Sequence, residues 1–242
     1  MWLGNASKYR IINEIKERKD ISILDFGAGT GKNWIGILEK NPSLNVCLFE
    51  PDPVVHEELL SNVHKMLGNT NVSVSDDLDI LGEFDYIISF SVFEHVSDPM
   101  EYLRQAKKHL KKGGKFLLNY DDGHFQHWVD LGDFRTWRAG LSGLIARVIA
   151  PIARIKGRTS LDLNRHTEED ILSMVKANGF SVSQRRCENI ISFKRLYKHI
   201  PVSEREAFMD IWVSCEDNLN KINASNNWLK KSSYSITLEL TA

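Results

Sequence analysis

Apolar residues along this chain fall into short runs that alternate with longer amphipathic stretches. A run such as 21–26 is mostly apolar, which is typical of a strand buried on both faces. The stretches between the runs repeat their apolar residues at helical spacing, as in 99–110 and 167–179. The pattern predicts seven strands, at 21–26, 44–49, 72–75, 84–90, 115–119, 180–184 and 234–240.

Strands that alternate with helices favour a parallel sheet covered by helices on both faces, because parallel strands need a crossover connection. We therefore predict the α/β fold class, a doubly wound Rossmann-like sheet with helical insertions, in a single domain over 1–242. Residues 121–165 lack a strand pattern and predict an insertion, or lid, after the fifth strand. Residues 200–230 predict a helical insertion before the last strand.

The loop after the first strand has the composition of a ligand-binding turn. Gly27, Gly29 and Gly31 let the backbone approach a ligand closely, and the helix start that follows offers unpaired N–H groups. Asp25 precedes the loop, and Glu50 closes the second strand, where an acidic residue accepts hydrogen bonds from ribose hydroxyls. A nicotinamide-dependent Rossmann oxidoreductase is one alternative, but the dinucleotide fingerprint places its third glycine one position later than Gly31.

Four motifs follow one another along the chain: D-F-G-A-G-T-G at 25–31, F-E-P-D at 49–52, F-S-V-F-E-H-V-S-D-P at 90–99 and K-K-G-G-K-F-L-L at 111–118. Together they resemble the class I S-adenosylmethionine-dependent methyltransferases, in the small-molecule type that carries E-H-V-x-D-P. The resemblance runs from 21 to 119 and resumes at 165–180. It implies a seven-stranded, mostly parallel sheet whose last strand is antiparallel beside the fifth. It also implies S-adenosylmethionine as the cofactor and S-adenosylhomocysteine as the product.

The same resemblance implies which residues bind the cofactor: Asp25, Gly27, Ala28, Gly29, Glu50, Pro51, Asp76, Asp77, Phe90 and Ser91. The first four would face the methionine moiety, Glu50 would hold the ribose, and Pro51 would lie beside the adenine. Asp76 and Asp77 would lie at the adenine edge, although aspartates also favour ordinary turns. The two residues that end the fourth strand would meet the methionine amino group through backbone carbonyls.

Methyl transfer from a sulfonium depends on alignment more than on acid–base help. Proximity supplies about 7–11 kcal/mol, whereas a general base contributes roughly 10²–10⁴-fold. His95, after the fourth strand, and His124, after the fifth, are the candidate catalytic bases. A structural role at a helix start is the alternative for His95. Asp121, Asp122 and His127 beside His124 are interpreted as a polar loop, so we predict no metal site.

Charge and motif content indicate the class of acceptor. The formal net charge of −1 argues against a nucleic-acid partner, because phosphate binding relies on concentrated positive charge. Family members that methylate nucleobase amino groups carry a proline-containing motif after the fourth strand, where this chain reads F-S-V-F. We expect the acceptor to be a hydroxyl or amine of a small molecule, such as a sugar or a nucleotide- or lipid-linked glycan. A non-catalytic cofactor-binding module that regulates a partner is an alternative of another class.

The 121–165 insertion contains an amphipathic segment at 138–158 that is rich in arginine. A lid over the cleft is one interpretation, and peripheral contact with a phosphate or an anionic membrane surface is the other. No run approaches the ~20 apolar residues of a membrane span. The three cysteines form no C-x-x-C pair and predict reduced thiols in a cytoplasmic protein, while the oligomeric state stays open.

Overall fold

Seven strands in the computed structural model form a single sheet with helices on both of its faces. The structure describes residues 5–15, 18, 20–34, 37–38, 43–66, 71–120, 166–222 and 227–242. The strands are β1 (Ser22–Phe26), β2 (Asn45–Phe49), β3 (Val72–Ser75), β4 (Phe84–Phe90), β5 (Leu110–Tyr120), β6 (Ser181–Ile190) and β7 (Ser233–Thr241). The α-helices within the described residues are α1 (Ala6–Ile15), α2 (Pro53–Met66), α3 (Pro99–Lys108), α4 (Glu168–Ala177), α5 (Ile191–Tyr197), α6 (Arg205–Ile222) and α7 (Asn227–Ser232). Single turns of 3₁₀ helix occupy Phe93–His95 and Val202–Glu204.

The sheet has the strand order β3-β2-β1-β4-β5-β7-β6. β7 is antiparallel to β5 and to β6, and the other neighbouring pairs are parallel. This confirms the predicted fold class, including the last strand antiparallel beside the fifth. Because β1 to β6 run in one direction, their last residues and the first residues of β7 meet at one edge of the sheet, called here the carboxyl edge.

Alternate residues of the central strands enter different apolar cores on the two faces of the sheet. In β1, Leu24 packs in a cluster with Leu103 of α3, whereas Ile23 packs in a cluster with Ile11 of α1. All four side chains are fully buried. Full burial of such a side chain is worth roughly 1.5–3 kcal/mol, so burial on both faces accounts for the mostly apolar run in the sequence.

Two strands are longer than the sequence pattern predicts. β5 begins at Leu110 rather than at 115, because its register with β4 shifts between Phe84 and Tyr86 and absorbs the K-K-G-G stretch as an irregularity in the strand. β6 extends to Ile190 rather than to 184. The additional residues include Glu188 and Asn189, which are buried but polar, so they form no apolar run that would reveal a strand.

Helices from three parts of the chain pack together beside β6 and β7. Tyr9 of α1, Tyr197 of α5 and Trp212 of α6 share one buried cluster. The sequence pattern does not predict α5, which begins directly after β6 and has only two turns. The range 200–230, predicted as a helical insertion, contains α6 and most of α7.

The predicted insertion at 121–165 lies outside the described residues, and with it His124 and the amphipathic segment 138–158. In the part of the chain that the structure describes, no helix combines the length and the apolar character needed to span a membrane.

Candidate active site

The glycine-rich loop leaves the carboxyl edge directly after β1. The backbone N–H groups of Gly27 and Ala28 donate to the Phe49 carbonyl, at 3.0 and 2.9 Å, so the loop is fixed to the end of β2. Gly27 has φ +99°, and a Cβ there would lie 2.6 Å from a methyl group of Val92. The loop is therefore held between the end of β2 and the segment that follows β4, with no room for a side chain at its first glycine.

Gly29 occupies the open side of the same loop. Its φ is +57°, and an added Cβ would meet nothing within 4 Å. Its N–H donates to Oε2 of Glu50 at 2.8 Å, and Oε1 of that carboxylate accepts from the N–H of Asp52 at 3.1 Å. The loop thus places a half-buried carboxylate beside an open, glycine-lined surface.

The carboxylate of Asp25 lies beneath the loop and is 1% exposed. Its Oδ2 accepts a 2.6 Å hydrogen bond from Nε1 of Trp34. Its Oδ1 is buried and has no hydrogen-bond partner among the described residues. Burial raises the pKa of Asp25 to about 6, while the Trp34 hydrogen bond and the charge of Lys8 act in the opposite direction. The site therefore contains a buried acceptor oxygen that no described residue satisfies.

The end of β4 forms the next part of the carboxyl edge. The Phe90 side chain is buried and lies under the ammonium group of Lys8, whose Nζ is 5.3 Å from the ring centre. Ser91 has φ +55°, a conformation that costs a non-glycine residue about 1–3 kcal/mol. Its N–H donates to the Asn119 carbonyl at 2.9 Å, which extends the β4–β5 pairing by one residue.

Tyr102 of α3 supports the loop from below. Its ring stacks on Phe26 with centroids 4.2 Å apart and planes 5° from parallel. Its hydroxyl donates to Oγ of Ser89 or to the Phe26 carbonyl, at 2.7 and 3.0 Å. Burial raises the pKa of Tyr102 far above its ordinary value, so the phenol stays neutral. This side chain supports the strand end that precedes the loop.

The residues predicted for the adenine side lie at the ends of β2 and β3 and are largely exposed. Pro51, Asp76 and Asp77 are exposed. Oγ of Ser75 donates to the Asp77 carbonyl at 2.8 Å, and Oδ1 of Asp77 accepts from the N–H of Asp79 at 2.9 Å. These hydrogen bonds are those of an ordinary turn, which was the alternative interpretation of the two aspartates. Their contact with adenine stays a prediction.

His95 lies in the 3₁₀ turn that follows β4, and its side chain is half-buried. Its backbone N–H donates to the Val92 carbonyl at 2.8 Å. The turn places His95 near the carboxyl edge, as the sequence predicts, while a catalytic role stays a prediction. Within the described ranges, no group of three His, Cys, Asp or Glu side chains is arranged to hold a metal ion.

The fold brings together at one edge the predicted residues from the loop, the end of β2 and the end of β4. Sequence reasoning missed Lys8, Trp34 and Asn119. The sequence gives no indication that Lys8 belongs to the site, because the helix that carries it is predicted from its apolar residues alone. Trp34 could have been suspected, since a large aromatic residue directly after the glycine-rich loop must pack close to it.

A protein-family model described as a methyltransferase domain matches residues 7–185. The chain belongs to this family. The match confirms the enzyme class that the motifs predict, an S-adenosylmethionine-dependent methyltransferase, in place of the nicotinamide-dependent alternative.

A curated relative is similar to about half of the chain. The tRNA U34 carboxymethyltransferase of Actinobacillus succinogenes is 28% identical over 129 residues, which are 48% of this chain and 37% of the relative. Most of that relative's length therefore has no counterpart in the match.

Solved structures share the fold over almost the whole chain. The cyclopropane synthase MmaA2 from Mycobacterium tuberculosis has a TM-score of 0.59 at 17% identity, covering 98% of this chain and 83% of that one. A phosphoethanolamine N-methyltransferase 2 from Haemonchus contortus, in complex with S-adenosyl-L-methionine, has a TM-score of 0.58 at 16% identity, covering 97% of this chain and 52% of that one. At these identities the likeness establishes the fold.

Proposed function

We propose that this protein transfers the methyl group of S-adenosylmethionine to a hydroxyl or amine of a small molecule. The observation that carries the proposal is the open face of Gly29 in the glycine-rich loop. This face lies beside the Glu50 carboxylate, and the loop lies above buried Asp25. In the reaction, a lone pair of the acceptor forms the new bond to the methyl carbon. The electron pair of the broken carbon–sulfur bond stays on sulfur, which leaves as the neutral thioether of S-adenosylhomocysteine, and the acceptor loses a proton.

The residues at the carboxyl edge suit the parts of this cofactor. Asp25 and the loop from Gly27 to Gly29 would bind the methionine moiety, because the unpartnered Oδ1 of Asp25 suits an ammonium group. Glu50 would turn from the Gly29 N–H to accept the ribose hydroxyls. Pro51 would contact the adenine.

Two further pairs of residues complete the proposed cofactor contacts. Asp76 and Asp77, at the end of β3, would lie at the adenine edge, where one carboxylate can accept the exocyclic amine. Phe90 and Ser91 would offer backbone carbonyls to the methionine amino group, and the fixed conformation of Ser91 supports this assignment.

The protein's main task in this proposal is to hold the two reactants in line and to exclude water. His95 is the proposed general base within the described residues, and His124 is a second candidate from the sequence. Replacing His95 by Asn tests the first role. A base role predicts lower kcat with a changed pH–rate profile, whereas a structural role predicts a loss of stability with an unchanged profile.

A small molecule is the acceptor class that the charge favours. The net charge of −1 gives no general attraction for nucleic acid. The curated relative acts on tRNA by name, but its match is confined to about half of this chain. A sugar, free or linked to a nucleotide or lipid, is the proposed type of acceptor.

Methyl-tritiated S-adenosylmethionine tests this function directly. The protein is incubated with the labelled cofactor and, in separate reactions, with a metabolite extract, a lipid extract and bulk tRNA. Label that appears in a small molecule, or in a lipid-linked one, supports the proposal. Label only in tRNA overturns the acceptor class, and binding of S-adenosylhomocysteine with no transfer in any reaction indicates the non-catalytic module.

A further inference from the structure

Two lysines lie at the carboxyl edge beside the proposed cofactor site. Lys8 of α1 has its Nζ 5.3 Å from the centre of the Phe90 ring, at the last residue of β4. Lys194 of α5 has its Nζ 4.8 Å from the centre of the Tyr234 ring, at the second residue of β7. Both rings belong to the carboxyl edge, so the two ammonium groups lie at the same end of the sheet.

Asn189 joins the segments that carry the two lysines. Its Oδ1 accepts from the N–H of Ala6 at 2.7 Å, and its Nδ2 donates to Oγ of Ser7 at 3.0 Å and to Oγ of Ser235 at 2.7 Å. α5 begins two residues after Asn189, at Ile191. One buried side chain thus connects the first turn of α1, the start of β7 and the start of α5.

The charges of the two lysines are not balanced by ion pairs with residues that the structure describes. Within the described ranges, no carboxylate lies within 4.0 Å of either ammonium group. Burial lowers the pKa of Lys8, the charge of Asp25 opposes that shift, and the charge of Lys194 adds to it. Lys8 therefore senses the charges of both Asp25 and Lys194.

Bound cofactor would increase the positive charge at this edge. S-adenosylmethionine carries a sulfonium and an ammonium against one carboxylate, so it adds net positive charge beside Lys8 and Lys194. Asp25 offsets only part of this charge. Charges that are partly removed from water need a partner, because their desolvation is otherwise uncompensated. The group that completes the site is expected to be an anion.

We propose that the methyl acceptor is an acidic small molecule whose carboxylate or phosphate group is bound between Lys8 and Lys194. The proposal rests on the methyltransferase function proposed above. The aromatic rings of Phe90 and Tyr234 contact the ammonium groups on one side and hold them in place. The acceptor's anionic group would meet them on the other side, and its hydroxyl or amine would face the methyl group. Such charge-assisted hydrogen bonds are shorter and stronger than neutral ones, and so would orient the acceptor.

Lysine reactivity tests the anion site without knowledge of the acceptor. The wild-type protein, saturated with S-adenosylhomocysteine, is acetylated in the presence of inorganic phosphate, of acetate, or of neither, and each lysine is followed by mass spectrometry. Slower modification of Lys8 and Lys194 in phosphate or acetate supports the proposal, and the more protective anion identifies the favoured group. Exposed Lys198, at the end of α5, is the internal control. Equal rates with and without both anions would overturn the proposal.

Variants then connect the anion site to turnover. Lys8→Met and Lys194→Met are each expected to lower kcat/KM for the labelled acceptor about 10- to 100-fold while S-adenosylhomocysteine affinity is kept. Lys198→Met is the matched control and should retain activity. The labelled product of the wild type should be retained on an anion exchanger.

Two results of these assays would contradict the acidic acceptor. A neutral labelled product is one, and a parallel loss of cofactor affinity in Lys8→Met and Lys194→Met is the other, because it assigns the lysines to the cofactor carboxylate. If no extract accepts label, the proposed function fails. In that case the acetylation measurement still shows whether Lys8 and Lys194 bind an anion.

Discussion

The indole N–H of Trp34 donates a 2.6 Å hydrogen bond to the buried carboxylate of Asp25, directly beneath the glycine-rich loop. Trp34 follows the loop and is itself 1% exposed, so the chain folds back onto the strand that precedes the loop. The protein supplies this one donor to the carboxylate from the described residues and leaves Oδ1 without a partner. Burial with one donor gives Asp25 a pKa of about 6.

Trp34→Phe is expected to destabilise the protein more at pH 8 than at pH 5. The pKa of folded Asp25 is raised from 3.8 to about 6, so its contribution to stability is lost as pH rises through that window. Removing the Trp34 indole N–H raises the pKa of Asp25 in the folded state further. The ionised carboxylate then loses a hydrogen bond worth about 1.5–3 kcal/mol. Urea unfolding at both pH values measures this. The same loss at pH 5 and pH 8 would contradict it, and the double variant with Asp25→Asn should abolish the difference.

Substitutions at Gly27 and Gly29 should separate folding from cofactor binding. Gly27→Val forces a Cβ to 2.6 Å from Val92 at φ +99°, so it should lower both stability and affinity. Gly29→Ala has space for its Cβ and should cost only about 1–2 kcal/mol of backbone strain. It should nevertheless weaken S-adenosylhomocysteine binding, because its methyl group occupies the proposed ligand surface. Thermal unfolding and calorimetry distinguish the two effects. Normal cofactor affinity in Gly29→Ala would contradict the proposal that the cofactor binds against this face.

Glu50→Ala should weaken S-adenosylhomocysteine binding and leave the fold intact. Each charged hydrogen bond to a ribose hydroxyl that is lost is worth about 1.5–3 kcal/mol, or roughly 10- to 100-fold in Kd. Glu58→Ala is the matched control, since that exposed carboxylate pairs with exposed Lys32 on the surface. Calorimetry with both variants measures the difference. Equal affinity of the two variants for S-adenosylhomocysteine would contradict the assignment of Glu50 to the cofactor site.

Glu216 should make stability fall with rising pH. It is fully buried and accepts from Nε1 of Trp212 at 2.6 Å and from the N–H of Ile190 at 2.8 Å. Burial raises its pKa from 4.5 to about 7, although these two donors and Arg10 lower it. The folded state therefore keeps a proton that the unfolded state releases, and the free energy of unfolding declines as pH rises through this window.

Glu216→Gln should remove that decline, because the amide oxygen still accepts both hydrogen bonds and carries no charge. Its stability relative to the wild type should therefore be higher at pH 8 than at pH 5. Exposed Glu204→Gln controls for the general effect of the substitution. Urea unfolding of the three proteins at both pH values gives the slope of the free energy of unfolding against pH. An unchanged slope in Glu216→Gln would show that other groups cause it.

Replacing 121–165 by a glycine-serine linker should abolish methyl transfer and keep S-adenosylhomocysteine binding. Tyr120 ends β5 at the carboxyl edge, and the ring of His166 lies 6.3 Å from the ring of Phe93, in the turn after β4. The two residues that flank the segment, Tyr120 and His166, therefore lie at or near the carboxyl edge, where the acceptor is proposed to bind. Circular dichroism and calorimetry confirm the folded, binding-competent control state. Full activity of this variant would refute the lid.

The buried strands, the glycine-rich loop and the acidic residue at the end of β2 can all be predicted from the amino-acid sequence alone. These features depend on neighbours along the chain: burial on both faces selects continuous apolar residues, and tight turns select glycine. The motif order from 25 to 118 was therefore enough to predict the fold class and the enzyme family. The sequence missed the second half of β6, because its buried residues include the polar Glu188 and Asn189 and so form no apolar run.

The side chains that meet at the carboxyl edge from distant parts of the chain could not be predicted before the fold was known. Lys8 lies on α1 and Lys194 on α5, and no local pattern connects them until Asn189 joins both segments to β7. The hydrogen bond from Trp34 to Asp25 likewise depends on how the chain turns after the loop. Such contacts arise from packing between elements, which the spacing of residues along the chain does not encode.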